Sequence, residues 1–131
     1  MQLNQVTLPC TDFEASARFY ETLGLIRIVS SPPRYARFEC PAPIGQEPST
    51  FSIEHVPGWA GADWPLTYLE LPDLDAAHAR LTADGIKFLN EPIMQSYLWK
   101  EADLRDPAGN RLRLFQAGNA RRFPPWRIDG A

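Results

Sequence analysis

The sequence predicts an α+β fold made of two tandem βαβββ modules, and an internal repeat is the main reason. The letters DFEA at residues 12–15 return as DLDA at residues 73–76, an offset of 61 positions. In both copies a β-prone stretch precedes these letters, and an amphipathic stretch that ends in a glycine follows them, at Gly24 and Gly85. Solenoids need several stacked repeats, so two copies indicate two modules packed together with a cavity between them.

The first module is predicted over about residues 3–56. Alternating apolar residues favour a strand at residues 3–8, and Thr11 and Asp12 then supply side-chain oxygens that can begin a helix. Apolar residues at helical spacing continue until Gly24, which ends the helix. A proline pair and a loop rich in proline and glycine separate three more strands, at residues 25–30, 35–40 and 50–56.

A linker is predicted at residues 57–65, where glycine, tryptophan and proline interrupt the pattern. The letters DPAGN at residues 106–110 predict the turn before the last strand. The tail, residues 117–131, is predicted to be extended and to pack on its own subunit or on a second copy. The second module, about residues 66–116, repeats the order of the first: strand 66–71, helix 74–84, and strands 86–89, 97–104 and 111–116.

Composition and charge describe one domain, taken as residues 1–131. Apolar residues make up 44% and charged residues 22%, which is enough to bury a core, and the net charge of −3 disfavours nucleic acid and anionic membranes as partners. No apolar run reaches membrane-spanning length, and the N-terminus has no secretory signal pattern. Cys10 and Cys40 are too few for a disulfide scaffold, so we expect reduced thiols and a cytoplasmic location, with a Cys10–Cys40 bridge as the alternative.

Three motifs accompany the repeat. The letters VTLP at residues 6–9 precede the helix start, RFYETLGL occupies residues 18–25, and the DPAGN turn leads into an alternating strand. Over residues 3–116 this pattern resembles the vicinal oxygen chelate superfamily, which includes glyoxalase I, bleomycin-resistance proteins, fosfomycin-resistance enzymes and extradiol dioxygenases. The resemblance implies that each module curls into half a barrel around the shared cavity, and it favours a homodimer. It does not fix the function, because one fold carries many chemistries.

The resemblance also implies where a metal ion would bind, since one ligand usually comes from the first strand and one from the last strand of each module. These positions correspond to Gln5, Glu54, Leu66 and Arg113. Gln5 and Glu54 carry oxygen ligands, but Leu66 has no donor atom and Arg113 repels a cation. We therefore expect no metal cofactor, with Gln5 and Glu54 as the ligands if a divalent metal is present.

Strand alternation predicts which side chains line the shared cavity. Glu54 would lie at its floor, with acid–base catalysis as a tentative role and an ion pair with Arg113 as the structural alternative. The same alternation places Tyr97 and Glu101 with Trp99. Packing is the alternative role of Trp99 and Tyr68. The predicted ligand-binding residues are Gln5, Thr7, Tyr35, Arg37, Ser52, Tyr68, Trp99 and Arg113.

Three functions fit these residues. The favoured one is a metal-free or metal-poor protein that binds an aromatic and polar or anionic small molecule, because aromatic faces and guanidinium groups can act on one ligand. The second is a metal-dependent lyase or isomerase of the glyoxalase I type that uses Gln5 and Glu54. The third, a dioxygenase-like enzyme, is disfavoured because an iron centre of that type needs two histidines, and the implied ligand positions carry none.

Overall fold

The computed structural model describes residues 1–130, which form two compact units. The first unit comprises residues 1–62 and 106–110, and the second comprises residues 63–105 and the chain from residue 111 onward. Each unit contains one α-helix and one four-stranded sheet. The predicted α+β class and the two βαβββ modules are therefore confirmed.

The first unit contains every element predicted for module one. Strand β1 pairs in parallel with β4, while β3 pairs antiparallel with both β4 and β2, giving the order β1-β4-β3-β2. The first strand lies two residues further along the chain than predicted. The elements are β1 Gln5–Cys10, α1 Phe13–Leu23, β2 Ile26–Ser31, β3 Tyr35–Cys40 and β4 Ser49–His55.

Helix α1 covers one face of this sheet. The Asp12 side chain accepts a hydrogen bond from the backbone N–H of Ala15 at 3.0 Å, and Gly24 ends the helix in the left-handed conformation. Tyr20 projects from the helix onto the sheet, with its ring centroid 4.4 Å from that of Phe51 and 6.1 Å from that of Phe38. The apolar side chains of the sheet pack against the helix, so the opposite face of the sheet carries polar residues.

The second unit has the sheet order β5-β8-β7-β6. Helix α2 begins after Asp73, whose side chain accepts from the backbone N–H of Ala76 at 3.0 Å, the repeat of the cap in the first unit. Leu104, Leu112 and Leu114 are buried, as expected for alternate residues on the helix-covered face of strands β7 and β8. The elements are β5 Ala62–Glu70, α2 Leu74–Ala83, β6 Ile93–Met94, β7 Lys100–Arg105, β8 Asn110–Gln116 and a short 3-10 helix Gly118–Arg121.

Two predicted boundaries in this unit are wrong. The strand predicted at residues 86–89 makes only an isolated bridge from Phe88 to Leu104, and the edge strand β6 comes later in the chain. Strand β7 begins at Lys100 rather than at residue 97, because the chain turns immediately before it. In that turn the backbone N–H of Leu98 donates to the carbonyl of Gln95 at 3.0 Å, and Leu98 has a φ of 70°.

Two further differences concern the segments on either side of the second module. Strand β5 begins at Ala62, inside the predicted linker, so its first four residues extend the strand towards the N-terminus. The tail is not uniformly extended, because residues Gly118–Arg121 form a 3-10 helix closed by backbone hydrogen bonds such as Ala120 N–H to the carbonyl of Ala117. Neither α-helix in residues 1–130 combines the length and apolar character needed to cross a bilayer.

The DPAGN turn is a structural junction of the first unit. Asp106 is buried, and its carboxylate accepts hydrogen bonds from the Tyr20 hydroxyl at 2.5 Å and from the backbone N–H groups of Ala108 and Asn110 at 3.0 and 2.9 Å. The Asn110 amide donates to the same carboxylate and to the carbonyl of Pro9, both at 2.8 Å. One carboxylate therefore connects the turn to helix α1, and through Asn110 to the end of β1.

Candidate functional site

The polar face of the first sheet carries five of the predicted ligand-binding residues, together with Glu54. The register pairs Thr7 with Ser52, Arg37 with Ser52, and Tyr35 with Glu54. Gln5, at the start of β1, reaches the same face because residues two apart along a strand point the same way. The structure thus brings Gln5, Ser52, Tyr35 and Arg37 together, with Thr7 exposed beside them.

Hydrogen bonds connect four of these side chains across three strands. Gln5 Nε2 donates to Ser52 Oγ at 2.8 Å, while the Thr50 hydroxyl donates to Gln5 Oε1. Ser52 Oγ is hydrogen-bonded to Tyr35 Oη at 2.7 Å, and Arg37 Nε donates to Tyr35 Oη at 2.9 Å. We call the set Gln5, Tyr35, Arg37, Thr50 and Ser52 the first-sheet network. Sequence alternation placed four of these residues on one face, and Thr50 was missed.

Glu54 differs from its predicted role in one respect. Burial raises the pKa of a carboxylate and so favours acid–base catalysis, whereas Glu54 is exposed in this chain. The predicted partner Arg113 is bound within the second unit by residues of its own sheet. A contact between Glu54 and Arg113, and a catalytic role for Glu54, therefore stay predictions.

Two acidic and two basic residues form an ionic cluster on the second sheet: Glu101, Asp103, Arg111 and Arg113. The carboxylate of Asp103 accepts from Arg113 Nε at 2.7 Å and Arg113 Nη2 at 2.9 Å, and it also accepts from Arg111 Nε at 2.9 Å. Arg113 Nη1 lies 3.6 Å from Glu101 Oε2, and both carboxylates are buried. The hydrogen bonds to Asp103 raise the pKa of Arg113, so its charge is fixed and compensated. Sequence analysis missed Asp103, although it alternates with Glu101 along one strand.

Acidification is expected to remove the stability that Asp103 contributes. Burial opposes ionisation of Asp103, but hydrogen bonds from Arg113 and Arg111 outweigh it and hold the pKa of this carboxyl below its ordinary value of 3.8. A carboxyl whose pKa is lower in the folded state stabilises the fold above its unfolded pKa, and the contribution is lost as the pH falls through the folded value. Asp103→Asn should lose less stability than the parent between about pH 4 and pH 2 in urea unfolding. Equal losses in both proteins would contradict this, and Asp63→Asn is the surface control.

Aromatic side chains form a wall beside the ionic cluster. The Trp99 ring stacks on Phe115, with centroids 4.7 Å apart and planes 18° apart. Tyr68 meets both rings edge-on, at 6.0 Å from Trp99 and 5.6 Å from Phe115, and Tyr97 meets Trp99 at 6.2 Å. Arg113 Nη1 donates to the Tyr68 hydroxyl at 3.2 Å, and the Tyr97 hydroxyl donates to Glu101 at 2.5 Å. The hydroxyl groups of Tyr68 and Tyr97 are thus hydrogen-bonded to residues of the ionic cluster, and the ring surfaces form the wall.

A cleft of about 320 Å³ lies against this wall, within the second unit. The C-terminal tail supplies half of its lining, so the prediction that the tail packs on its own subunit is supported. The tail is also connected to strand β5, because Arg121 Nε lies 3.4 Å from Glu70 Oε1. Sequence analysis predicted Tyr68 and Trp99 as ligand-binding residues but omitted the tail from the site. The lining residues are Tyr68, Tyr97, Trp99, Glu101, Ala120, Arg121, Pro124 and Trp126.

The residues at the implied metal positions do not fit a metal centre of the type suggested by the resemblance. The Gln5 amide oxygen accepts from Thr50, and Arg113 is bound to Asp103. Leu66 has no donor atom. Within residues 1–130, histidine, cysteine, aspartate and glutamate side chains form no group of three or more placed to hold a metal ion.

Comparison with known proteins supports the same fold. A bleomycin-binding protein solved in complex with bleomycin is 27% identical, with a TM-score of 0.67 over 88% of this chain and 98% of that one. The bleomycin resistance determinant encoded on the transposon Tn5 is 25% identical, with a TM-score of 0.68 over 90% and 99%. A lactoylglutathione lyase from Agrobacterium tumefaciens is 18% identical, with a TM-score of 0.69 over 88% and 92%, which shows a shared fold alone.

None of the curated proteins is similar enough in sequence to count as a relative. The family model described as Glyoxalase/Bleomycin resistance protein/Dioxygenase superfamily matches residues 2–114, which is most of the chain. The match includes both modules and ends before the tail that lines the cleft. The resemblance inferred from the repeat, the RFYETLGL motif and the DPAGN turn is thereby confirmed, and the chain belongs to the glyoxalase/bleomycin resistance protein/dioxygenase superfamily.

Proposed function

We propose that this chain binds a small, flat aromatic molecule without a metal ion and without transforming it. The observation that carries the proposal is the wall of stacked and edge-on rings around Trp99, which faces a cleft of about 320 Å³. Ligand sites in proteins combine such apolar walls with a few polar groups that fix orientation. Here Glu101 and Arg121 are the charged groups that line the cleft.

The charges of the site favour a polar ligand and limit its anionic character. The positive charge of Arg113 is matched by Asp103 and Glu101, so it has little attraction left for a ligand anion. Arg121 is half-exposed and its contact with Glu70 at 3.4 Å is an open surface pair, which contributes little stability. An anionic substituent on the ligand would therefore meet Arg121, because Glu101 is buried and already accepts from the Tyr97 hydroxyl.

The similar solved structures favour a binding function over catalysis. The bleomycin-binding protein and the Tn5 resistance determinant are the more similar of the structures described above, at 27% and 25% identity. The alternative, a metal-dependent lyase or isomerase using Gln5 and Glu54, is weakened because the Gln5 amide oxygen already accepts from Thr50. A dioxygenase function has even less support, since it would need histidine ligands at positions that carry no histidine.

We also propose that the protein is a homodimer and acts in the cytoplasm. Strand β2 is an edge of the first sheet, and its side chains Ile26 and Ile28 are exposed. An exposed apolar edge strand offers unpaired backbone groups to which a strand of another chain can pair. Cys10 and Cys40 are both free, in keeping with a reducing compartment. Sedimentation equilibrium at micromolar concentration measures the assembly, and a monomer there would contradict the dimer.

Replacing Trp99 by alanine is expected to weaken ligand binding by about tenfold or more, because the main stacking surface of the cleft is lost. The probes are three naphthalene derivatives of one shape: the carboxylate, the carboxamide and the methylammonium compound. Calorimetry gives the affinity of each, and the series reports which charge the cleft prefers. Circular dichroism checks that the variant remains folded.

Trp64→Ala is the matched control, since Trp64 is exposed and does not line the cleft. It should leave the affinity unchanged. If the unaltered protein binds none of the three probes, the proposed function is wrong. If binding survives Trp99→Ala, the ligand does not use this cleft.

A further inference from the structure

The first-sheet network has a defined direction of hydrogen bonding. An amide oxygen only accepts, so the hydroxyl hydrogen of Thr50 must point to Gln5 Oε1. The other end of the Gln5 amide, Nε2, then donates to Ser52 Oγ at 2.8 Å. Two residues thus fix how the Gln5 side chain is oriented.

The hydrogen bond between Gln5 and Ser52 in turn determines the direction of the bond between Ser52 and Tyr35. The Ser52 side chain is fully buried, and a buried hydroxyl needs an acceptor for its own hydrogen. Its oxygen already accepts from Gln5, and its other described partner is Tyr35 Oη at 2.7 Å. Either oxygen could be the donor in this contact, and we assign Ser52 as the donor because its buried hydroxyl has no other described acceptor.

Tyr35 Oη consequently accepts two hydrogen bonds. The second comes from Arg37 Nε at 2.9 Å, and the Arg37 guanidinium carbon lies 5.7 Å from the centroid of the Tyr35 ring. Both lone pairs of the phenol oxygen are then in use, so its own hydrogen is left for a third group. Tyr35 is half-buried and Arg37 is exposed, so a molecule from solvent can reach this hydrogen.

We propose that Tyr35 and Arg37 form a binding site for a carboxylate, in which Tyr35 donates its phenolic hydrogen and Arg37 supplies the positive charge. Hydrogen bonds to charged acceptors are shorter and stronger than neutral ones, and a guanidinium matches the geometry of a carboxylate. Tyr35 and Arg37 belong to the first unit, whereas the residues of the aromatic cleft belong to the second. The proposal gives a specific ligand group to these two residues, which the sequence predicted only as part of a ligand-binding set.

The electrostatic environment of Tyr35 agrees with this geometry. The hydrogen bond from Ser52 lowers the pKa of Tyr35 below its ordinary value of 10, burial opposes the shift, and Arg37 adds to the lowering through its hydrogen bond and charge. Glu54, its register partner on β4, acts in the opposite sense, and its partner on β2 is the uncharged Ser31. A more acidic phenol is a better hydrogen-bond donor, which suits an anionic acceptor.

Nuclear magnetic resonance of the full chain with [13Cζ]tyrosine tests the site, since the sequence has only four tyrosines. Sodium benzoate is the probe, and sodium chloride at the same ionic strength is the control. We expect a saturable shift of the Tyr35 signal and a rise of its titration midpoint by about half a pH unit or more, because a bound carboxylate favours the protonated phenol. Without benzoate, Ser52→Ala should raise the same midpoint.

Arg37→Gln should weaken benzoate binding by about tenfold, because it removes the charge-assisted contact. Arg34→Gln removes the same charge from the neighbouring turn and should have little effect. Tyr97 is an internal reference, because burial and its hydrogen bond to Glu101 raise its pKa to about 12. A Tyr35 signal that responds to benzoate no more than to chloride would overturn the proposal. So would equal losses of affinity in the two arginine variants.

Discussion

Replacing Asp106 by alanine is expected to lower the free energy of unfolding by about 3–5 kcal/mol, since removing one side of a buried polar network leaves its partners unsatisfied. The substitution removes the acceptor of four hydrogen bonds, from Tyr20, Ala108 and Asn110, the last through both its backbone N–H and its side chain. Tyr20 is fully buried, so its hydroxyl could not exchange the lost acceptor for water. The substitution should therefore destabilise helix α1 as well as the turn.

Urea unfolding followed by circular dichroism measures this effect. Asp63→Ala is the control, because Asp63 pairs with Arg105 on the surface at 2.6 Å and should contribute no more than about 1 kcal/mol. Tyr20→Phe removes only one of the hydrogen bonds and should cost about 1–2 kcal/mol. A loss for Asp106→Ala no larger than that for Asp63→Ala would show that the turn is not a structural junction.

Replacing Gly61 by alanine is expected to destabilise the protein by about 3 kcal/mol or more, through a steric clash combined with a strained backbone. A Cβ atom at this position would lie 2.7 Å from the carbonyl oxygen of Gly109 and 3.0 Å from its Cα. Gly61 also has a φ of +84°, which residues with a side chain rarely adopt. The opposing atoms are backbone, so no flexible side chain can move aside.

Gly58→Ala separates the two contributions. Gly58 has a similar φ of +77°, but nothing lies within 4 Å of the position of its Cβ. This variant should cost only the conformational penalty, about 1–2 kcal/mol. Thermal unfolding of both variants gives the difference, and equal melting temperatures would mean that the close approach of Gly61 to Gly109 does not constrain the fold.

Local signals in the sequence were enough to predict most of the fold. The caps at Asp12 and Asp73 and the helix end at Gly24 are determined by a few adjacent residues, and the structure confirms all three. Strand alternation likewise predicted the buried faces, because a period of two is a local property. The errors fall at the β6 edge and at the start of β7. There Leu98 adopts a positive φ that its residue type does not indicate.

The candidate site was less predictable, because it depends on contacts between distant segments. Alternation placed Arg113 on the correct face, but it could not select Asp103 as the carboxylate that binds it. Trp99 was expected within a strand and instead precedes one, yet its ring still reaches Phe115. The contribution of Trp126 to the cleft had only a weak signal, namely an apolar residue in a polar tail.

The cleft is built from two parts of the chain, one inside the family match and one that follows it. Its aromatic wall belongs largely to the family region, whereas Ala120, Arg121, Pro124 and Trp126 follow the end of the family match at residue 114. Changes in this tail would leave the ladder of strands β5 to β8 untouched. If the proposed function is right, a library randomised only at these four positions would change what the cleft binds and leave the strands of its wall in place.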